Sequence, residues 1–144
     1  MSSAVRNKFL PLIFILLFLG MAGCGLIRDL FFPFGNIDWY SSLEKAMNAE
    51  GDRPILLFFH SEFECPYCQR VIAVILPNPE FVEKTRHFRC VHYNIHEADR
   101  ELIRRYRINA HPAFLIVDGS GNVMDKLTGF NLKGTLALLE RHIK

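Results

Sequence analysis

The sequence predicts an α/β fold in which a central β-sheet is covered by helices on both faces. Two runs without a polar residue, Ile55–Phe59 and Phe114–Val117, have the length and composition of fully buried strands. Segments with helical spacing of apolar residues alternate with these strands along the chain. A turn-forming stretch, Asp118–Asn122, leads into Val123–Leu127 and predicts a hairpin. Such alternation of helices and apolar strands is typical of a sheet between two helical layers.

The N-terminus has the three parts of an export signal. Arg6 and Lys8 supply positive charge, Phe9–Leu19 is apolar, and small residues follow. The segment Met21–Cys24 resembles the lipobox of bacterial lipoproteins. This resemblance implies that residues 1–23 are removed as a signal peptide and that Cys24 is lipidated.

Lipidation at Cys24 would hold the protein on a membrane of the cell envelope, facing the periplasm or the extracytoplasmic surface. Gly25 is not the aspartate that marks inner-membrane retention, so the outer membrane is mildly favoured. An uncleaved membrane anchor and a simple secreted protein are the alternatives. All three place the domain outside the cytoplasm.

The charge of the chain is nearly balanced. Loss of residues 1–23 removes Arg6 and Lys8 but no acid, so the 17 basic and 15 acidic residues become 15 of each. This balance gives no reason to expect nucleic acid as a partner. Residues 24–37 are predicted to form a tether and residues 38–144 a single domain.

A first helix is predicted between the tether and the Ile55 strand. Ser41 and Glu44 have the spacing of a capping box. An apolar stripe that includes Leu43 and Ala46 follows, as in a helix with one buried face.

A Cys-Pro-Tyr-Cys tetrad occupies residues 65–68, between the Ile55–Phe59 strand and a predicted buried helix over Gln69–Leu76. A helix N-terminus carries partial positive charge and free N–H groups, so it stabilises a thiolate at Cys65. A thiolate attacks a disulfide, and Cys68, one turn away, can then close the ring. The sequence predicts Cys65 as the exposed nucleophile and Cys68 as the resolving thiol.

A structural disulfide and a pair of zinc ligands are the alternatives for these cysteines. A zinc site normally has a second pair of cysteine ligands, as in CxxC…CxxC, and the sequence lacks such a pair. A redox pair needs no cofactor beyond its own disulfide, and we predict no resident metal. Cys90 is expected to be buried and inert rather than functional.

The remaining elements complete the predicted order α-β-α-β-α-β-β-α. Pro77–Pro79 should break the active-site helix, and a short helical piece over Pro79–Lys84 precedes the strand around Cys90. An amphipathic helix is predicted over Ala98–Arg107 and a last helix over Leu132–Ile143. The arginines of the former are interpreted as a solvated face, with an acidic partner as the alternative.

Together these features resemble the thioredoxin-like superfamily. The chain has a CxxC between strand and helix, a lone proline, Pro112, before the Phe114 strand, and then a hairpin and a terminal helix. The resemblance implies a thioredoxin-like fold with a central mixed sheet. It also implies that Pro112 is cis and faces the cysteines, and that His111 offers backbone hydrogen bonds to a bound peptide. The segment Trp39–Pro54, interpreted as a helix followed by a proline, is similar to the soluble thioredoxin-like domain of the membrane reductase DsbD.

Two departures from thioredoxins bear on the chemistry. Phe59 takes the position, six residues before Cys65, where thioredoxins commonly have a buried acid as proton relay. Glu64 replaces the tryptophan before the first cysteine. Its carboxylate should destabilise a thiolate at Cys65, which favours a reductase or isomerase over a strong oxidant. A merely solvated carboxylate is the alternative.

Other side chains near the tetrad have two interpretations each. Tyr67 either contacts substrate or is a half-exposed ring. His111 either lies near the sulfurs and stabilises a thiolate, or points to solvent. His60 is expected to be a satisfied near-core histidine. A metal site is a weaker hypothesis for a cluster near Cys90, formed by His87, Cys90, His92 and His96.

The predicted function is reduction of protein disulfides in the envelope by the Cys65/Cys68 dithiol. The expected partners are protein disulfide substrates, an upstream thiol electron donor and a membrane. Two other functions stay open. One is a copper-handling module using Cys65, Cys68 and either His111 or His60, because thiolate and imidazole suit Cu(I). The other is an interaction lipoprotein in which the CxxC is incidental.

Overall fold

The strands form one five-stranded mixed sheet in a computed structural model that describes residues 34–143. The order across the sheet is β1-β3-β2-β4-β5. The first three of these are parallel to one another, while β4 and β5 run antiparallel to their neighbours. Their bounds are β1 Trp39–Tyr40, β2 Ile55–His60, β3 Arg89–Asn94, β4 Ala113–Val117 and β5 Val123–Thr128.

Helices separate the strands along the chain except at the hairpin of β4 and β5, and a last helix follows β5, as the sequence predicts. A π-helical segment, Val71–Ile75, directly follows the helix Pro66–Arg70. In this segment the hydrogen bonds span five residues, and Leu76 N–H donates to Val71 O at 3.0 Å. No helix within residues 34–143 has both the length and the apolarity to cross a membrane. The helices are α1 Leu43–Asn48, α2 Pro66–Arg70, α3 Pro79–Thr85, α4 Arg100–Arg105 and α5 Leu132–Glu140.

The sheet separates two hydrophobic layers, which confirms the predicted α/β architecture. Alternate residues of each strand point to opposite faces. One face packs against the π-helical segment, α3 and α5, through Leu56, Phe58, Val71, Ile75, Phe81, Phe114 and Leu138. The other packs against α1 and α4, through Leu43, Ala46, Leu57, Phe59, Val91, Leu115 and Tyr106.

Two local predictions are wrong. Ser42, not Ser41, caps α1, because its Oγ accepts the N–H of Lys45 at 3.2 Å. The segment that begins at Trp39 does not start as a helix, since Trp39–Tyr40 forms β1 and pairs with β3. Two residues are too few to show a strand period, so the sequence carries no signal for β1.

Phe34 is the first residue that the structure describes. Its ring packs against the core, and Ile37 is buried. The predicted signal peptide, Cys24 and most of the predicted tether lie outside the described residues, and they remain predictions.

Candidate active site

The two cysteines lie at the start of α2, just beyond the carboxyl end of β2. Cys65 is the N-cap of the helix and Pro66 occupies its first turn. A disulfide joins Cys65 to Cys68, with 5.2 Å between their Cα atoms. Cys65 Sγ accepts the N–H of Cys68 at 3.1 Å, and Cys68 Sγ accepts the N–H of Ser61 at 3.4 Å. Such backbone donors favour a thiolate when a pair of this kind is reduced.

Cys65 is less exposed than the sequence predicts. Its exposed fraction is 5%, against 0% for Cys68, so the order is as predicted but Cys65 is not an open surface group. The loop before β4 lies close to it, since Cys65 Sγ is 4.0 Å from the carbonyl oxygen of His111. Cys65 therefore has little contact with solvent and lies against this loop.

The peptide bond between His111 and Pro112 is cis, as the resemblance implies. Pro112 is buried and directly precedes β4, which pairs with β2. This pairing brings the loop to the end of β2 that carries the cysteines. The structure thus places Cys65, Cys68, His111 and Pro112 together, while the binding of a peptide by this loop remains a prediction.

The ring of His111 also lies beside the disulfide. A ring nitrogen of His111 and the sulfurs of Cys65 and Cys68 are all within 4.8 Å of one another. Within residues 34–143 this is the one group of three or more His, Cys, Asp or Glu side chains close enough to share a metal ion. In the disulfide form the sulfurs are bonded to each other, so any metal would require the reduced form.

Residues next to the two cysteines in the chain have exposed side chains. Tyr67 is 58% exposed, and Glu64 is exposed with a φ of +52°. Phe63, which the sequence analysis did not single out, is 68% exposed. Aromatic rings that stand in solvent beside a reactive group offer contact area to a polypeptide. The roles of Tyr67 and Glu64 remain predictions.

His60 differs from its prediction, because it is buried without being fully hydrogen-bonded. Its exposed fraction is 0%. Its Nε2 lies 3.2 Å from Nδ1 of His92 on β3, while its Nδ1 finds no hydrogen-bond partner among the described residues. Burial, followed by the neighbouring rings of His92 and His111, lowers the pKa of His60 to about 4. Burial also lowers the pKa of His92.

The residue that faces the cysteine helix is not Phe59. Phe59 packs in the layer under α1 and α4, whereas Phe58 packs in the layer that includes the π-helical segment after α2. His60 shares the face of Phe58, and their rings stack with centroids 5.1 Å apart. Phe59, at the position where thioredoxins commonly have a buried acid, therefore lies on the opposite face of β2 from His60.

A sequence model described as a thioredoxin-like domain matches residues 41–142. The chain belongs to the thioredoxin-like domain family. None of the curated proteins matches it.

Solved structures support the same assignment of the fold. The thioredoxin-like domain is similar to a "DsbH Oxidoreductase" at 18% identity and a TM-score of 0.63, over 78% of this chain and 88% of the other. A thioredoxin from Thermus thermophilus is 27% identical, with a TM-score of 0.62 over 73% and 85% of the two chains. A Fasciola hepatica thioredoxin is 20% identical, with a TM-score of 0.58 over 69% and 90%.

The third cysteine of this thioredoxin-like domain, Cys90, is buried at 1% exposure. Its Sγ lies 3.7 Å from the carbonyl oxygen of Thr85, and burial raises the pKa of the thiol to about 12. This environment agrees with the predicted inert role. Within the described residues, Cys90 and its histidine neighbours in sequence form no group at metal-binding spacing.

Proposed function

We propose that the protein is a thiol–disulfide oxidoreductase that reduces protein disulfides through Cys65 and Cys68. The observation that carries this proposal is the Cys65–Cys68 disulfide at the start of α2. The carbonyl oxygen of His111, which forms a cis peptide bond with Pro112, lies 4.0 Å from Cys65 Sγ. In the reduced form, Cys65 Sγ attacks a disulfide of the partner and forms a mixed disulfide. Cys68 then attacks Cys65 Sγ, which releases the partner's thiol. An upstream thiol donor reduces the pair again.

The carboxylate of Glu64 supports the reducing direction. It lies next to Cys65 in the chain and stands in solvent, where it disfavours a neighbouring thiolate. A less stable thiolate makes the dithiol a better reductant. A reduction potential near that of thioredoxin, about −270 mV, would support this direction, and one near that of DsbA, about −120 mV, would indicate an oxidant.

Trapping of mixed disulfides tests the proposed reaction. The Cys68→Ala variant should accumulate partners bound through Cys65, because the resolving thiol is gone. The Cys65→Ala/Cys68→Ala double variant is the matched control and should trap none. Absence of trapped partners, together with full disulfide reduction by Cys65→Ala, would contradict the proposal. Tight stoichiometric copper binding with negligible insulin reduction would favour the copper-handling alternative instead.

We also propose that a lipid on Cys24 holds the domain at the cell envelope. The support is the export-type segment that ends in Met21–Cys24. Labelled fatty acid should enter the wild-type protein but not Cys24→Ala, and the variant should leave the membrane fraction. A wild-type protein that takes up no label would contradict the lipid anchor.

A further inference from the structure

The loop Ser61–Glu64 carries three exposed side chains directly before the cysteines. Glu62, Phe63 and Glu64 are exposed, whereas Ser61 is buried at 1% exposure. The 68% exposure of Phe63 exceeds that of any other large apolar side chain within residues 34–143. Two residues of chain span at most about 7 Å, so the Cα of Phe63 lies within that distance of the Cα of Cys65. A polypeptide whose disulfide reaches Cys65 therefore passes close to this loop.

The hydroxyl group of Ser61 holds the loop in one conformation. It donates to the carbonyl oxygen of Phe63 at 2.7 Å, and it accepts the N–H of Phe63 at 3.2 Å. A hydroxyl has one hydrogen, so in the third contact, at 3.0 Å, Nε2 of His96 is the donor. The N–H of Ser61 in turn donates to Cys68 Sγ at 3.4 Å. The loop is therefore tied both to the disulfide and to the segment after β3.

Phe63 is thus an exposed ring on a fixed backbone. Both of its backbone polar groups bond to Ser61 Oγ, and its ring meets that of His96 edge-on, with centroids 6.2 Å apart. Covering an apolar ring that stands in water is favourable, and a ring that is already fixed loses little conformational entropy on binding. Rigid aromatic side chains of this kind act as anchors in protein interfaces. Phe63 is suited to contact an apolar side chain of a partner.

The flanking carboxylates give the loop a negative charge. From Ser61 to Gln69 the chain has two acids, Glu62 and Glu64, and no basic residue. Among the described residues neither carboxylate takes part in an ion pair. Exposed charges add little affinity, but complementary charge speeds encounter and like charge excludes wrong partners. The loop therefore favours a basic polypeptide over an acidic one.

We propose that the loop Ser61–Glu64 selects protein disulfides that lie beside an apolar and a basic side chain. Phe63 contacts the apolar side chain, and the carboxylates of Glu62 and Glu64 attract the basic one. This inference rests on the proposed function and names the class of its substrates. Each turnover oxidises the Cys65/Cys68 dithiol to its disulfide and converts the partner's disulfide into two thiols, so recognition adds no further redox step.

Three matched disulfide substrates test this selection. Each consists of two short peptides joined by one disulfide, with a fluorophore on one and a quencher on the other, so that reduction raises the fluorescence. They differ only beside the cysteine, where they carry a leucine with two lysines, a leucine with two glutamates, or three serines. Dithiothreitol is the donor, and a Cys24→Ser background of the full-length protein removes a competing thiol. The reference is 2-hydroxyethyl disulfide, which is small and uncharged.

The lysine and glutamate peptides test the carboxylates. We expect the wild-type kcat/KM to be about fivefold to tenfold higher for the lysine peptide, and this ratio should shrink as salt is added. In Glu62→Gln/Glu64→Gln it should fall below about twofold. The ratio is independent of the reactivity of Cys65, because the same sulfur attacks both peptides. Glu101→Gln, which removes an exposed acid on α4, is the control and should keep the wild-type ratio.

Phe63→Ala tests the apolar contact. Relative to the rate with 2-hydroxyethyl disulfide, it should lower kcat/KM for the lysine peptide about fivefold to tenfold, mainly through KM. Met124→Ala is the control, because Met124 on β5 is also an exposed apolar side chain, and it should change neither rate. His96→Ala removes the support of the ring and should raise KM for the same peptide about twofold to threefold, whereas the exposed His87→Ala should not.

Equal kcat/KM values for the three peptides would overturn the inference. An equal loss on the peptide and on 2-hydroxyethyl disulfide in Phe63→Ala would overturn it as well, and an unchanged KM in His96→Ala would contradict the role of His96. Contact of Phe63 with a second copy of this chain is also contrary to the inference, and it would make the wild type dimeric and Phe63→Ala monomeric in sedimentation. A wild-type protein that reduces none of these disulfides faster than dithiothreitol alone would instead defeat the proposed function.

Discussion

At the scale of single residues, the buried His60 makes the stability of the domain depend on pH. The pKa of this imidazole is about 4 in the fold, against an ordinary value of 6.5. Between these values the unfolded chain takes up a proton that the folded chain does not. The free energy of unfolding therefore falls as the pH drops from about 6.5 to about 4, and this contribution is constant above pH 7.

Urea unfolding at pH 7 and pH 5 measures this effect. We expect His60 to account for a loss of about 2 kcal/mol between these two values, with a contribution of the same sign from His92. His60→Gln should show a smaller loss over the same interval, even if it is less stable at both. An equal loss in the variant would show that His60 is not held neutral.

Gly35 is the second residue whose environment permits a sharp prediction. Its φ is +70°, and a Cβ at this position would lie 2.7 Å from the carbonyl oxygen of Leu76, at the end of the π-helical segment. Gly35→Ala adds left-handed strain and a backbone clash, so we expect a loss of about 2–4 kcal/mol in urea unfolding.

Gly51→Ala is the matched control for Gly35→Ala. Gly51 has a φ of +94°, but nothing lies within 4 Å of an added Cβ. Its replacement should therefore cost only the conformational strain, about 1–2 kcal/mol. Equal losses in the two variants would mean that the approach of Gly35 to Leu76 is not what constrains this position.

At the scale of elements, the active-site helix shows what the pattern of residues can and cannot predict. The cysteines, the proline and the buried strand before them indicate where a helix begins, and the structure confirms that placement. The π-helical turn at Val71–Ile75 is different. A run of apolar residues is compatible with an α-helix and with a π-helix. The sequence therefore does not predict the extra residue in this turn.

The contact between His60 and His92 could not be predicted from the sequence either. The two residues come from different strands, and in the register of β2 and β3 His60 lies opposite Asn94, while His92 lies opposite Phe58. The histidines are therefore diagonal neighbours on one face of the sheet. Their contact depends on which strands are adjacent and on their register, neither of which local periodicity determines.

Arg89, at the start of β3, links that strand to the end of α1. It is 2% exposed and donates to the carbonyl oxygens of Ala46 at 2.8 Å, Ala49 at 3.1 Å and Arg53 at 2.9 Å. Its removal would leave the buried carbonyl group of Ala46 and the partly buried ones of Ala49 and Arg53 without their donor. We expect Arg89→Met to lower the free energy of unfolding by about 2–4 kcal/mol in urea.

Arg86→Met serves as the comparison for Arg89→Met. Arg86 forms an ion pair with Glu83 in which both side chains are exposed, so its loss should cost less than about 1 kcal/mol. A similar loss in both variants would contradict the role assigned to Arg89.

At the scale of the whole molecule, the order of helices and strands after Trp39–Tyr40 follows from apolar runs, turn residues and helical spacing. Those signals are local, and the two-layer core confirms them. The candidate site is not local, because it forms where α2 meets the loop before β4, 46 residues away along the chain. Only the resemblance to a family suggested that Pro112 faces Cys65. The residue spacing alone contains no such information.

Catalysed reduction of insulin by the purified full-length protein, with dithiothreitol as the donor, tests the central claim most directly. The wild-type protein should accelerate the reaction, Cys65→Ser should fall to the uncatalysed rate, and Cys90→Ser, which alters the buried free thiol, should retain the wild-type rate if it folds. Undiminished catalysis by Cys65→Ser would contradict the assignment of Cys65 as the nucleophile. A folded wild-type protein that never exceeds the uncatalysed rate would contradict the redox function itself.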